Sequence, residues 1–238
     1  MIKHPKYPRG NIYLSGGMQH AANLGGDWRE ETSDVLKDMG YYPLDITHLD
    51  KAYMAEHSDL YHSLTPDDHL QFKANMRKHF ITTDLELIKA DSDALIVYYD
   101  ESVRLGAGTI SECQFAYDHD IPIFVVSYWD DWHKEVPGWL QGLSTKIFTY
   151  FFDLYEYLDK LPDGILKRDI YGNHSAGDMY LCSLSGEPFH KSGLHFVSHV
   201  SPLYSKESVE LVRTTNEELK DRYQFFLEYL AKEAEEEK

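Results

Sequence analysis

A chain of 238 residues, 42 % hydrophobic and 14 % aromatic, carries enough apolar side chain for one α/β domain of ordinary size plus an extension. Its formal net charge of −17 repels phosphate polymers and anionic membrane surfaces, so nucleic acid and lipid are excluded as expected partners, while a small ligand held by local backbone N–H groups is not. Two cysteines, Cys113 and Cys182, rule out a disulfide scaffold and suit a cytoplasmic setting, residues 1–11 lack the apolar segment of a signal peptide, and no run approaches the roughly 18 apolar residues of a membrane span.

Residues 11–15, Asn-Ile-Tyr-Leu-Ser, predict a short buried strand ended by Gly16 and Gly17. Asp27 is placed to cap a helix beginning at Trp28, in which Thr32, Val35, Leu36 and Met39 recur at helical spacing, with Gly40 as the residue that closes it. A second strand is expected over 41–46. The polar, His-rich stretch from 50 to 80 reads as an insertion over the sheet edge, with a helix over roughly 66–79 started by Thr65 and Pro66. Thr83-Asp-Leu-Glu86 has the spacing of a capping box and predicts a separate short helix to about Ala90. The uninterrupted apolar run Ala94–Tyr99 is that of a strand buried on both faces. A loop over 100–108, a helix over 109–119 and a buried strand over 121–127 follow. The β-α alternation implies a doubly wound, mostly parallel α/β sheet of the Rossmann-like or flavodoxin-like kind, spanning 8–150.

Beyond residue 150 the pattern changes to an α+β extension. Residues 179–183 and 195–200 are expected to pair as strands. Thr215-Asn-Glu-Glu218 is a second capping box, and the helix it starts carries Leu219, Tyr223, Phe226, Leu227 and Leu230 on one side. That stripe suits packing on the chain's own core, with a homo-oligomer contact as its alternative use. The residues Cys182, His190, His195 and His199 fit no standard zinc spacing and read as ordinary structural residues.

In an open parallel sheet the ligand lies beyond the carboxyl ends of the strands. Three segments land there: Ser15, Gly16 and Gly17 after the first strand, Asp45 and His48 after the second, and Asp100 to Glu112 after the third. Within the last, Gly106 and Gly108 stand at the mouth of a helix, where backbone N–H groups can approach a ligand closely. Thr109, Ser111 and Glu112 follow, and the helix dipole is expected to help Glu112 stay ionised, as a nucleophile must. Arg29 and Arg104 are further candidates for a phosphate or base contact.

Ile12-Tyr13-Leu14-Ser15-Gly16-Gly17, then Asp84-Leu-Glu-Leu-Ile88 with Asp93-Ala-Leu-Ile-Val97, then Gly108-Thr-Ile-Ser-Glu112 occur in that order. Together they resemble the nucleoside 2-deoxyribosyltransferase family over roughly residues 10–128. The same superfamily holds hydrolases of nucleoside 5′-monophosphates. The resemblance implies that Glu112 attacks C1′ of the sugar, that Tyr13 orients it, and that Asp84 lies near the base and sugar. It also implies a small nucleoside or nucleotide as partner, with no cofactor and no metal. One departure stands out. The family carries an aspartate shortly before the glycine, where this chain has Gly106, which leaves Asp100 as the candidate replacement.

The bond chemistry follows glycosidase logic, a carboxylate under the sugar and help for the departing base. Water as the second reactant makes a hydrolase, and a second base makes a transferase. Two other readings compete: a cytokinin-type phosphoribohydrolase, whose Gly-Gly-x-Gly-Thr-x-x-Glu motif is similar, and a non-catalytic nucleotide sensor on the same fold.

Overall fold

The computed structural model describes residues 6–56, 69–168 and 174–193, together with Ser205 and Ser208. Five parallel strands form its central sheet: β1 (Gly10–Gly16), β2 (Tyr41–Leu44), β3 (Ala94–Tyr99), β4 (Ile123–Ser127) and β5 (Lys146–Phe148), in the order β2-β1-β3-β4-β5. The chain reverses direction across the sheet between β1 and β3, which opens a crevice at their carboxyl ends. Side chains that alternate along each strand feed two separate cores. Tyr13, Leu95, Val97 and Val125 pack with Ile88, Ala116 and Leu140 on one face. Ile12, Leu14, Ile96 and Phe124 pack with Leu36, Leu154 and Leu158 on the other. The sheet is therefore wound on both sides, and β3 is apolar throughout because both of its faces are covered, Tyr98 alone being half-buried. Each such aliphatic side chain contributes about 1.5–3 kcal/mol through burial.

The helix α1 (Gly26–Asp38) closes as expected, with Gly40 at φ +85° after it. Its start differs. Asn23, Leu24 and Gly25 all adopt left-handed backbone conformations, and Gly25 occupies the capping position without a side-chain bond. Asp27 lies inside the first turn and accepts a hydrogen bond from Asn23 Nδ2 at 2.6 Å. Gly25 is required here, since a Cβ would meet the carbonyl oxygen of Gly17 at 2.5 Å.

Strand β2 stops at Leu44, two residues earlier than expected. The Asp45 carboxylate accepts from Thr47 N at 2.9 Å and Thr47 Oγ1 at 2.6 Å, which turns the chain into α2 (Ile46–Glu56), a helix the polar composition concealed. The expected start at Thr65 and Pro66 lies outside the described residues. From residue 69 to 91 the chain is continuously helical: α3 (His69–Asn75), a π-helical turn (Met76–Ile81) and α4 (Thr82–Asp91). The capping box at Thr83 does not form, because Ile81 is already helical and the rod runs straight through it. Thr82 instead donates its backbone N–H to Arg77 O, five residues back, and its Oγ1 to the same oxygen at 2.6 Å.

Residues 100–108 also contain more than a loop. Asp100 caps a one-turn helix, α5 (Glu101–Arg104), by accepting from Ser102 N at 3.0 Å and Val103 N at 3.3 Å. The helix α6 spans Gly108–Asp118, and Pro122 delays β4 to Ile123. Two short helices, α7 (Trp132–Glu135) and α8 (Gly138–Leu143), lead to β5. Packing of the sheet continues past residue 150, since α9 (Phe151–Lys160) buries Leu154 and Leu158 in the second core. Arg9 fastens its end by donating to Leu158 O at 2.8 Å and Leu161 O at 2.7 Å. A small antiparallel sheet follows, β6 (Ser175–Ala176), β7 (Met179–Leu181) and β8 (Pro188–His190). The strand expected near 179 thus pairs with 175–176 and 188–190. Its anticipated partner at 195–200 lies outside the described residues, as do the capping box and the apolar stripe of the C-terminal helix. No helix of the described residues is long and apolar enough to cross a membrane.

Candidate active site

Tyr13 and Ser15 are two apart on β1 and so project to the same face of the sheet, toward α6. There they meet Glu112. The Tyr13 hydroxyl donates to Glu112 Oε1 at 3.2 Å, and the Ser15 hydroxyl donates to Glu112 Oε2. Each carboxylate oxygen thus has its own hydroxyl, and all three residues are buried. Glu112 is the fifth residue of α6, one beyond the first turn, so the helix terminus helps its charge less than the sequence suggests. Burial raises its pKa; the hydrogen bonds from Ser15 and Tyr13 and the charge of Arg29 oppose that rise.

Arg29 is fully buried, and its guanidinium is spent on the backbone. Its guanidinium donates to the carbonyls of Leu14 (3.2 Å), Gly16 (2.8 Å), Leu24 (3.3 Å) and Gly25 (2.9 Å), knitting the end of β1 to the left-handed turn. The phosphate role considered for it is therefore not what its geometry serves. Arg104 is likewise engaged, with Glu135 at 2.6 Å and over the Trp129 ring at 3.9 Å.

Above Glu112 opens a cleft of about 520 Å³. Gly16 and Gly17 form one rim, and Gly106, Gly108 and Thr109 form another. A Cβ on Gly17 would stand 1.9 Å from Ser102 Oγ, so this glycine lets the β1 loop sit directly on α5. Nothing lies within 4 Å of where a Cβ of Gly108 would be, which leaves its backbone open to the cleft. The far wall comes from the helical rod: Phe72, Met76, Phe80 and Asp84 all line the cavity. In a uniform α-helix, residues spaced by four drift around the axis by about 40° per step. The wider π turn between Met76 and Ile81 winds back part of that drift, so one stripe faces the cavity for its whole length.

Two further carboxyls share the cleft. Asp84 is raised to about 8, first by burial and then by the charges of Glu112 and Asp50. Asp50, on α2, is raised to about 6 by burial, with Arg29 opposing and Asp45 and Glu112 adding to the rise. At neutral pH the site therefore holds a protonated Asp84 facing the same space as Glu112.

Of the residues singled out in the sequence, Tyr13, Ser15, Gly16, Gly17, Asp84, Gly106, Gly108, Thr109 and Glu112 converge here. Asp45 and Asp100 start helices with their carboxylates, Ser111 is exposed and donates to Ala107 O at 2.9 Å, and His48 is exposed. Asp50, Phe72, Met76 and Phe80 escaped sequence reasoning. The spacing by four from Phe72 to Asp84 was the available signal.

Fold and site together define a doubly wound α/β protein with a buried, doubly hydrogen-bonded glutamate beneath a carboxyl-rich cleft at the sheet's carboxyl edge. No protein-family model and no curated protein matches the chain. Among solved structures it is similar to the 2-deoxyribosyltransferase of the psychrotolerant bacterium Bacillus psychrosaccharolyticus, at 15 % identity and a TM-score of 0.44, over 66 % of this chain and 95 % of that one.

Proposed function

We propose that the chain cleaves or exchanges the N-glycosidic bond of a (deoxy)nucleoside or its 5′-monophosphate, with Glu112 as nucleophile. The observation that carries this reading is the pairing of two unlike carboxyls in one cleft. Glu112 is buried, with a hydroxyl on each oxygen, and Asp84 keeps its proton to about 8. Two titratable groups whose environments separate their roles are what nucleophile-and-acid chemistry needs.

In the first half, Glu112 forms a bond to C1′ while the C1′–N bond breaks and its electron pair passes to the base. Asp84 gives its proton to that base. Tyr13 and Ser15 keep the carboxylate aimed and shed part of their hold as its charge is spent in the ester. In the second half, water or another base attacks C1′, its proton passes to Asp84, and Glu112 is freed.

Incubation with a panel of nucleosides and 5′-monophosphates, followed by chromatography for free base, tests this directly. Wild-type protein should release base, and a fluorinated sugar analogue should leave a glycosyl adduct on Glu112 visible by intact mass. Binding without any release across the panel would replace the enzyme with a nucleotide sensor.

A further inference from the structure

Asp50 belongs to no motif, and the scheme above does not use it. It is partly buried on α2 and lines the same cleft as Asp84 and Glu112. Each of the three carboxyls comes from a different helix: α2 after β2, α4 before β3 and α6 after β3. Glu112 is fully engaged by hydroxyls, whereas among the described residues the Asp50 and Asp84 carboxyls have no hydrogen-bond donor. A partly buried carboxyl with no donor is costly to ionise, and two around one cavity are costlier still.

Arg29, Asp45 and Glu112 act on Asp50; Glu112 and Asp50 act on Asp84; and Tyr13 feels the charge of Asp84 from β1. His20 also borders the cleft. Arg29 is the cation among them, and its guanidinium is given to four backbone carbonyls.

The reaction changes this balance midway. While Glu112 is ionised, its charge favours the proton on Asp84. Once Glu112 is a glycosyl ester that charge is gone, which is what lets Asp84 release its proton to the base. Asp84 must then take a proton back from the second nucleophile, and Glu112 no longer supports it. We propose that Asp50 is the positioning residue for this proton, its charge keeping Asp84 basic through the half of the cycle in which Glu112 is esterified. The inference rests on the N-glycosidic reading of the site.

Two measurements separate the inference from that reading. In protein carrying ¹³C-labelled aspartate, the Asp84 carboxyl is titrated by NMR in wild type, Asp50→Asn and Asp50→Glu, with Asp84→Asn supplying the assignment. The midpoint should fall by about one pH unit in Asp50→Asn and return in Asp50→Glu. An unchanged midpoint in Asp50→Asn overturns the inference. Rapid-quench assays on a cleaved nucleoside then resolve the half-reactions. Asp50→Asn should keep the initial burst of base and slow the steady state severalfold, up to about tenfold, at neutral pH, with Asp50→Glu recovering most of it. A steady state equal to wild type at every pH sinks the proposed role even if the midpoint moves. A moved midpoint in a protein that never releases base leaves the coupling standing and removes the glycosidic reading.

Discussion

Replacing Asp84 with asparagine keeps the shape of the side chain and removes its ionisation, so its effect on stability should depend on pH in one direction. In the folded chain this carboxyl is raised from 3.8 to about 8 by burial and by Glu112 and Asp50. In the unfolded chain it titrates near about 3.9. Between those values the folded state binds a proton that the unfolded state has lost, so wild-type stability falls as pH rises from about 4 to about 8. An interval of about four pH units at about 1.4 kcal/mol each sets a ceiling of about 5–6 kcal/mol. The cleft opens to water, which screens part of this, and about 2–3 kcal/mol is the working expectation. Asp84→Asn should therefore match wild type near pH 4 and exceed it by about 2–3 kcal/mol at pH 9. Urea unfolding at a series of pH values, with the denaturant slope unchanged, measures the difference. A gap that stays constant or narrows as pH rises would refute the reasoning. The gain is expected alongside a loss of turnover, as at other sites where a destabilised group serves chemistry.

Glu112→Gln should retain ligand binding by calorimetry while base release drops by at least about a thousandfold, since the geometry survives and the nucleophile does not. Gly17→Ala should lose about 1–3 kcal/mol in thermal unfolding, because the new Cβ collides with Ser102, and adding Ser102→Gly should recover part of it. Arg29→Met should cost about 3 kcal/mol or more by leaving the carbonyls of Leu14, Gly16, Leu24 and Gly25 unmet, and Arg29→Lys should rescue little because one ammonium cannot span the fork.

What could be foreseen from the residues follows the range of the forces involved. The apolar run at Ala94–Tyr99 declared a doubly buried strand because burial on both faces leaves a composition with no alternation. Glu112 and Gly108 were legible because the chain order placed them at the carboxyl edge of such a sheet, whereas Tyr13 was singled out only by the family resemblance of its strand. The start of α1 was not, because it is a run of three left-handed residues, two of whose carbonyls, those of Leu24 and Gly25, are held by Arg29 reaching back. The capping box at Thr83 misled for a related reason. A cap is useful only where a helix begins, and the preceding rod supplied the helical turn that Thr83 would have started. β5 escaped because its three residues Lys146–Phe148 carry no periodicity and are strand only by pairing with β4. Asp50 was hidden in a stretch whose polarity reads as solvent-facing, though its carboxyl faces a cavity.

The π turn at Met76–Ile81 gives the cleft a dependence on chain length as well as on residue type. A π turn holds one residue more than an α turn. Deleting that extra residue would leave the stripe nearly in phase, because the lost residue and the tighter turn cancel, whereas deleting one residue from the α-helical stretch between Ile81 and Asp84 would rotate everything after it by about 100° relative to everything before. Phe72 and Met76 could then keep their places only by carrying Asp84 off the cavity, or Asp84 could stay and the apolar wall would swing away. The second course keeps Ile88 in the core and the sheet intact, so it is the one the chain would take. Such a deletion is expected to yield a chain that folds and is inert, a kind of failure that stability measurements alone would pass over.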